Sequence, residues 1–311
     1  MKLGIVVVYL VSPEDGDLLD LHLDQIERLT EVPYVIYGSA NRLEPQFRER
    51  LSARPDVEIV DCPTTPLRGY EEHAYYLEEL IRHAVGDGAT HVALLNVDSF
   101  PVRRGWAREL IGHLSEGCVV SAVMRVENDD HKPHPSGLLF SREFWLEHHP
   151  TMLLTEEELR SPEFARYREE VDVIVDTGIG YGFKLWQENL GWHPLVRSNR
   201  TEDHYIIGSI YGDLVFHLGG AARGPKLHIR ERQEIDAHRD RNLLSRSIHH
   251  FLRFASRFVP EGIRRPLRPF IVPRAARRIQ EQTWEAYDHA REQLLRDPES
   301  YFARLRSDSS G

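Results

Sequence analysis

The feature that most constrains this chain is its first apolar run, Leu3 to Val11, which is β-branched at most positions and carries no charge. A run of that kind suits a strand covered on both faces, as in a parallel sheet flanked by helices. The pattern then repeats. Leu19, Leu23 and Ile26 recur at helical spacing over 17–30, and Pro33–Tyr37 reads as a short strand ended by Gly38-Ser39. A helix over 43–53 and a strand Val57–Val60 follow. Tyr70, Ala74, Leu77, Ile81 and Ala84 form a helical stripe that Gly86-Asp87-Gly88 closes. His91–Val97 is the next strand, 105–115 the next helix, and Cys118–Met124 another buried strand. Strands alternating with helices of this length predict an α/β domain with a mostly parallel sheet.

The pattern changes after about 125. Residues 127–137 are polar and rich in His and Pro, which predicts a long loop of functional character. Helices are expected near 153–170 and 180–191, and short strands near 194–198 and 213–217. From 235 onward the chain reads as a helical extension, so we divide it into 1–234 and 235–311.

Charge narrows the function. The formal net charge of -10 lacks the basic footprint that nucleic-acid binding requires. Within 241–280, however, ten Arg stand against one Glu, a local net of nine positive charges interleaved with Phe and Leu. That segment could pack as a core or dimer helix, or lie on an anionic membrane surface. Cys62 and Cys118 match no zinc or redox spacing. No run approaches the ~20 apolar residues of a membrane span, and Ser12-Pro13-Glu14-Asp15 replaces the cleavage site of a signal peptide. The expected location is cytoplasmic, with peripheral membrane contact through the extension as a variant.

The stretch Leu94-Leu95-Asn96-Val97-Asp98-Ser99-Phe100-Pro101 carries the chemistry. A buried strand ends in a carboxylate, followed by a proline that should stop the ladder. Ligands of open α/β sheets bind beyond the carboxyl ends of strands, which is where Asp98 falls. This stretch resembles the D-x-D motif of GT-A type glycosyltransferases, particularly family 2-like members, with Asn96 at the first acidic position and Asp98 at the second. The resemblance implies a GT-A fold and a nucleoside-diphosphate sugar donor. It also implies Mn²⁺ or Mg²⁺ held by Asp98, a hard cation suited to carboxylate and phosphate oxygens. Asn96 departs from the motif by offering a neutral ligand.

Further segments resemble the same family in order. Gly69-Tyr70-Glu71-Glu72-His73 is similar to the segment beside the nucleotide, which implies donor roles for Gly69 and His73, with Tyr9, Asn41 and Asn96 on the same side. Pro133 to Phe140 resembles the segment beside the sugar and acceptor, where Ser136 and Gly137 would offer backbone amides. Asp176-Thr177-Gly178 looks like the segment holding the family's general base, which would make Asp176 the base of an inverting transfer. An Asp at that place also suits a helix cap. Asp203, in Thr201-Glu202-Asp203, is a second acceptor-side carboxylate. The run Val215-Phe216-His217-Leu218-Gly219-Gly220, with Arg223 nearby, resembles the late segment in which a His completes the metal site, implying His217 as metal ligand and Arg223 as a donor contact.

Two other readings compete with transfer of a sugar to an acceptor hydroxyl. A sugar nucleotidyltransferase would carry a basic, Gly-rich loop after the first strand, but Ser12 to Asp17 is acidic. A non-catalytic scaffold would keep the fold and bind partners through the Arg-rich extension, and it predicts no Mn²⁺-dependent nucleotide binding.

Overall fold

The computed structural model describes residues 1–11, 15–41, 43–115, 117–201, 204–219 and 274–307. The division at 234/235, Asp203, Arg223 and almost all of the Arg-rich segment lie outside the described residues.

The expected α/β architecture is present. Its main sheet has seven strands in the order β3-β2-β1-β4-β7-β6-β8. β1 (Leu3–Val8) is buried at every position. It pairs in parallel with β2 (Tyr34–Ser39) and β4 (His91–Leu95), and β2 pairs in parallel with β3 (Val57–Val60). β7 (Asp130–Ser141) is the one strand of this sheet that runs against its neighbours, β4 and β6 (Cys118–Arg125). β8 (Gly191–Leu195) is parallel to β6.

Alternation divides the core. Leu3, Ile5 and Val7 face α1 (Gly16–Leu29), α2 (Pro45–Ser52) and α4 (Trp106–Gly112) on one side. Val6 and Val8 face α3 (Tyr70–Gly86), α5 (Arg142–His148) and α8 (Ile179–Gln187) on the other. Because side chains of a strand point alternately to opposite faces, an unbroken apolar run is what two covered faces demand.

A second sheet of three antiparallel strands, β5-β10-β9, stands at the end of β4. It comprises β5 (Ser99–Pro101), β9 (Ser209–Tyr211) and β10 (Val215–His217). Two C-terminal helices, α9 (Arg274–Arg296) and α10 (Pro298–Arg306), close over its outer side. Tyr287, Ala290 and Leu294 recur at helical spacing and pack with Tyr301, Phe302 and Leu305 on Leu18, Phe100, Ile210 and Phe216. The helices are anchored by Arg200 N–H donating to Leu305 O at 2.8 Å and by Arg291 to Asp15 at 3.1 Å. Among the described residues no helix is long and apolar enough to cross a membrane.

Several expectations are corrected. The segment 127–137 is not a loop: after a short turn at Val126–Asn128 it forms most of β7, a 12-residue strand. Pro133 and Pro135 are tolerated because the register with β6 shifts around them, so neither must donate to a regular ladder. Pro101 is not what stops β4, which already ends at Leu95; it is the last residue of β5, opposite Val215. Gly38 and Ser39 continue β2 instead of ending it. The helix expected over 153–170 is two, α6 (Glu156–Leu159) and α7 (Pro162–Glu170), since Ser161 caps a new start with Pro162 in its first turn. Neither α5 nor β9 was anticipated.

Candidate active site

The site begins where the chain passes from the large sheet to the small one. At the end of β4, Ser99 N–H donates to Asn96 O at 2.9 Å and Ser99 Oγ accepts from Asn96 N–H at 2.7 Å, closing a tight turn. Asp98 sits in that turn, 5 % exposed. Buried His22 on α1 holds the turn from beneath, with Nδ1 3.1 Å from Ser99 O. A carbonyl only accepts, so His22 Nδ1 carries the proton.

β10 lies antiparallel to β5 with His217 opposite Ser99. The chain beyond it wraps Asp98: Leu218 N–H donates to Asp98 O at 2.9 Å and Gly219 N–H to Asp98 Oδ2 at 3.2 Å. Asp98 Oδ1 is then turned toward His217, whose Nε2 is 3.7 Å away. That separation is too long for a hydrogen bond. It suits two ligands each about 2.1 Å from one cation. Burial holds the His217 pKa below the usual imidazole value, against the opposing pull of Asp98, and so favours the neutral ring with a lone pair to share. Asn96 Oδ1 is buried nearby in sequence, with no hydrogen-bond partner among the described residues.

Carboxylate, imidazole and amide oxygen together fit a Mn²⁺- or Mg²⁺-type ion. Among the described residues no group of three or more His, Cys, Asp or Glu could hold a metal. An ion here would therefore draw its remaining ligands from a bound substrate and water.

β7 supplies a second set. Asp130, Lys132, His134 and Ser136 alternate along it, and all four are buried. Lys132 Nζ donates to both oxygens of Asp130 at 2.7 Å, Arg125 Nη2 donates to Oδ2 at 2.6 Å, and Ile174 N–H donates to Oδ1 at 3.2 Å. Burial pushes the Asp130 pKa up, but Lys132 and Arg125 outweigh it and hold the carboxyl below its ordinary range. A buried lysine and a partly buried arginine share one carboxylate, and Asp176 acts on both from nearby. His134 Nδ1 lies 2.8 Å from Ser136 Oγ and accepts Ser136 N–H at 3.2 Å. The rings of His134 and His217 are 5.8 Å apart.

The starts of α8 and α3 complete the cleft. Gly178 begins α8 with φ +95°, and a Cβ there would fall 2.6 Å from Pro133 O, so only glycine lets this helix start so close to β7. Asp176 is half-buried and accepts Thr177 N–H at 2.7 Å. It is not the helix cap, a position that Gly178 takes. Thr177 Oγ1 donates to Tyr70 O at 3.3 Å and lies 3.4 Å from His73 Nδ1. His73 and Asp176 are thus joined through Thr177.

Of the residues expected at a site, Asp98, His217, Asn96, His73 and Asp176 are gathered at this end of the sheet, with Gly69 at the start of α3. Four are placed otherwise. Tyr9 is fully buried, packed on Gly38 and edge-on to His22, and has no exposed face on which a base could stack. Asn41 ties strand ends together, accepting from Ser39 Oγ at 2.8 Å and donating to Cys62 O at 2.7 Å. The amide of Ser136 is spent on His134. Gly137 lies between Val123 and Val215, where a Cβ would come within 2.8 Å, so it serves close packing. Arg125, Asp130, Lys132, His134 and Thr177 were not anticipated. A period-2 row of polar residues from 130 to 136 was the available signal, hidden by the two prolines.

No protein-family model matches the chain, and no curated protein matches it. Solved structures do. The apo form of mouse xyloside xylosyltransferase 1 is similar at 9% identity and a TM-score of 0.38, over 63% of this chain and 85% of that one. S. aureus TarS 1-349 in complex with UDP-GlcNAc is similar at 9% identity and a TM-score of 0.36, over 66% of this chain and 60% of that one. Galactosyltransferase LgtC in complex with donor and acceptor sugar analogs is similar at 10% identity and a TM-score of 0.36, over 63% of this chain and 73% of that one.

Proposed function

We propose that this chain is a GT-A type glycosyltransferase that moves a sugar from a nucleoside diphosphate to an acceptor hydroxyl. The observation that carries the reading is the Asp98–His217 pair. Two residues far apart in sequence turn Oδ1 and Nε2 toward each other at 3.7 Å, at the carboxyl end of the central sheet. The D-x-D resemblance of Asn96 to Asp98 and the buried Asn96 Oδ1, which has no partner among the described residues, support it.

In this reading Asp98 and His217 hold Mn²⁺ or Mg²⁺, with Asn96 beside them. When bound, the ion supplies positive charge against the diphosphate that leaves. Gly219 N–H fixes the orientation of Asp98 in advance, so the carboxylate needs little reordering. Asp176 accepts the proton of the acceptor hydroxyl, and attack on the face opposite the diphosphate inverts the anomeric centre. His73 and Gly69 flank the nucleotide. The 235–311 extension would meet the acceptor side, a membrane surface or a second copy. The free thiols of Cys62 and Cys118 suit a cytoplasmic setting.

The test is a thermal-shift panel of ADP, GDP, UDP and CDP, each with Mn²⁺ and with EDTA. A ligand at 100 times its Kd stabilises the fold by about 2.7 kcal/mol, so the preferred base raises Tm only with the metal present. Asp98→Ala should abolish that shift while the ligand-free protein still unfolds cooperatively. An unchanged Mn²⁺-dependent shift in Asp98→Ala ends the metal assignment. No shift for any nucleotide with the native chain favours a non-catalytic scaffold.

A further inference from the structure

The glycosyl-transfer reading leaves one buried group of the cleft without a task. His134 is 7 % exposed, on the same strand face as the Asp130–Lys132 pair, and its ring lies 5.8 Å from that of His217. Its protonation pattern follows from its neighbours. Ser136 N–H is a backbone donor and cannot accept, and it points at His134 Nδ1 at 3.2 Å. A proton on Nδ1 would set two N–H groups against each other, so Nδ1 carries the lone pair. The Ser136 hydroxyl, 2.8 Å away, donates to the same atom. The neutral ring therefore bears its hydrogen on Nε2, at the far edge from its own strand. Among the described residues Nε2 has no hydrogen-bond partner.

Two consequences follow. With its one lone pair engaged, His134 is excluded as the base that deprotonates an acceptor. As an N–H donor within electrostatic reach of Arg125 and Lys132, it stands where an anionic oxygen is favoured over a hydroxyl. We infer that His134 is a diphosphate-binding residue whose Nε2–H donates to an oxygen of the terminal phosphate, the group that gains charge as the sugar departs. This rests on the glycosyl-transfer reading. It adds a specificity determinant for diphosphate over monophosphate, set by the His134–Ser136 pair.

Two near-isosteres separate the ring nitrogens. In His134→Asn, Oδ1 replaces Nδ1 and still accepts Ser136 N–H, but nothing reaches the position of Nε2. In His134→Gln, the amide NH₂ reaches that position and the local acceptor is lost. Affinities are measured by calorimetry for ADP, GDP, UDP and CDP with Mn²⁺, and for the matching monophosphates, alongside each variant's Tm. A hydrogen bond to a charged group corresponds to a roughly 10- to 100-fold change in affinity. His134→Asn should weaken the preferred diphosphate by that factor and leave the monophosphate nearly unchanged, and His134→Gln should recover most of the loss. Native diphosphate affinity in His134→Asn overturns the inference and spares the glycosyl-transfer reading. Equal loss in both variants with a lowered Tm also overturns it, by making the role structural. If the native chain binds no diphosphate, both fall together.

Discussion

Asp176 shows how little a single carboxylate needs to change its task. Its Oδ1 accepts Thr177 N–H at 2.7 Å, a contact that an asparagine in its place keeps. Asp176→Asn should therefore hold the cleft's shape and its Mn²⁺-dependent nucleotide affinity. Sugar transfer should drop by roughly 10²- to 10⁴-fold, the usual consequence of losing a general base. A native transfer rate would pass the role to another carboxylate, and a product that keeps the donor's anomeric configuration would end the inverting mechanism. At this scale the sequence was most legible where chemistry and strand end coincide. Asp98 was marked by an apolar strand running into a carboxylate, and His217 by a strand running into glycines. Sequence position cannot tell a side chain that faces a ligand from one that faces its neighbours, and Tyr9 is fully buried against Gly38 and His22.

Among the elements, the small sheet matters most, because it brings residue 98 to residue 217. β5 and β10 are three residues each, too short to stand alone, and they are held by the aromatic side chains beneath them. Phe302 of α10 packs its ring 5.3 Å from Phe216 and 6.3 Å from Phe100, each the middle residue of its strand. Truncating a buried Phe to Ala typically costs about 3–5 kcal/mol. Phe302→Ala should lower the urea midpoint accordingly. At temperatures where the variant remains folded, it should also weaken Mn²⁺-dependent nucleotide binding, although Phe302 touches no ligand. Nucleotide affinity at the native level would show that the C-terminal helices add stability without positioning the pair. The helical character of the C-terminal segment was readable, but its contact with β5 and β10 was not, since that contact joins segments far apart in the chain.

The whole molecule carries a pH signature. His22, His134, His217, His91 and His193 all have pKa values lowered by burial, His22 to about 4. In the unfolded chain each returns to about 6.5. Below that value the unfolded state binds more protons, so stability is fully present above about pH 6.5 and lost as pH falls. His22 alone removes about 3 kcal/mol by pH 4, because each pH step between its unfolded and folded pKa values costs about 1.36 kcal/mol. Asp130, whose pKa is depressed, adds a further loss only as the pH falls below about 3.9, the unfolded carboxyl value. Urea unfolding at pH 8, 7, 6 and 5 should give a flat stability above pH 7. Below pH 6 it should decline by at least about 1.36 kcal/mol per pH unit, the slope of one proton. Unchanged stability from pH 7 to 5 would contradict the neutral, buried histidines.

Burial periodicity and local propensity, which each segment carries within itself, were enough to read the α/β class and the order of the first strands and helices. They were also enough to mark the strand-end carboxylate. Other outcomes needed the assembled chain. Pro133 and Pro135 could lie in a strand because register shifts excused them from the ladder. Ser136 serves His134, Lys132 is buried against Asp130, and Asp98 meets His217. The burial of the two pairs within β7 depends on what covers that strand, and the last contact on which strands become neighbours. That choice is made by the packing of the whole chain, where no single segment carries the information.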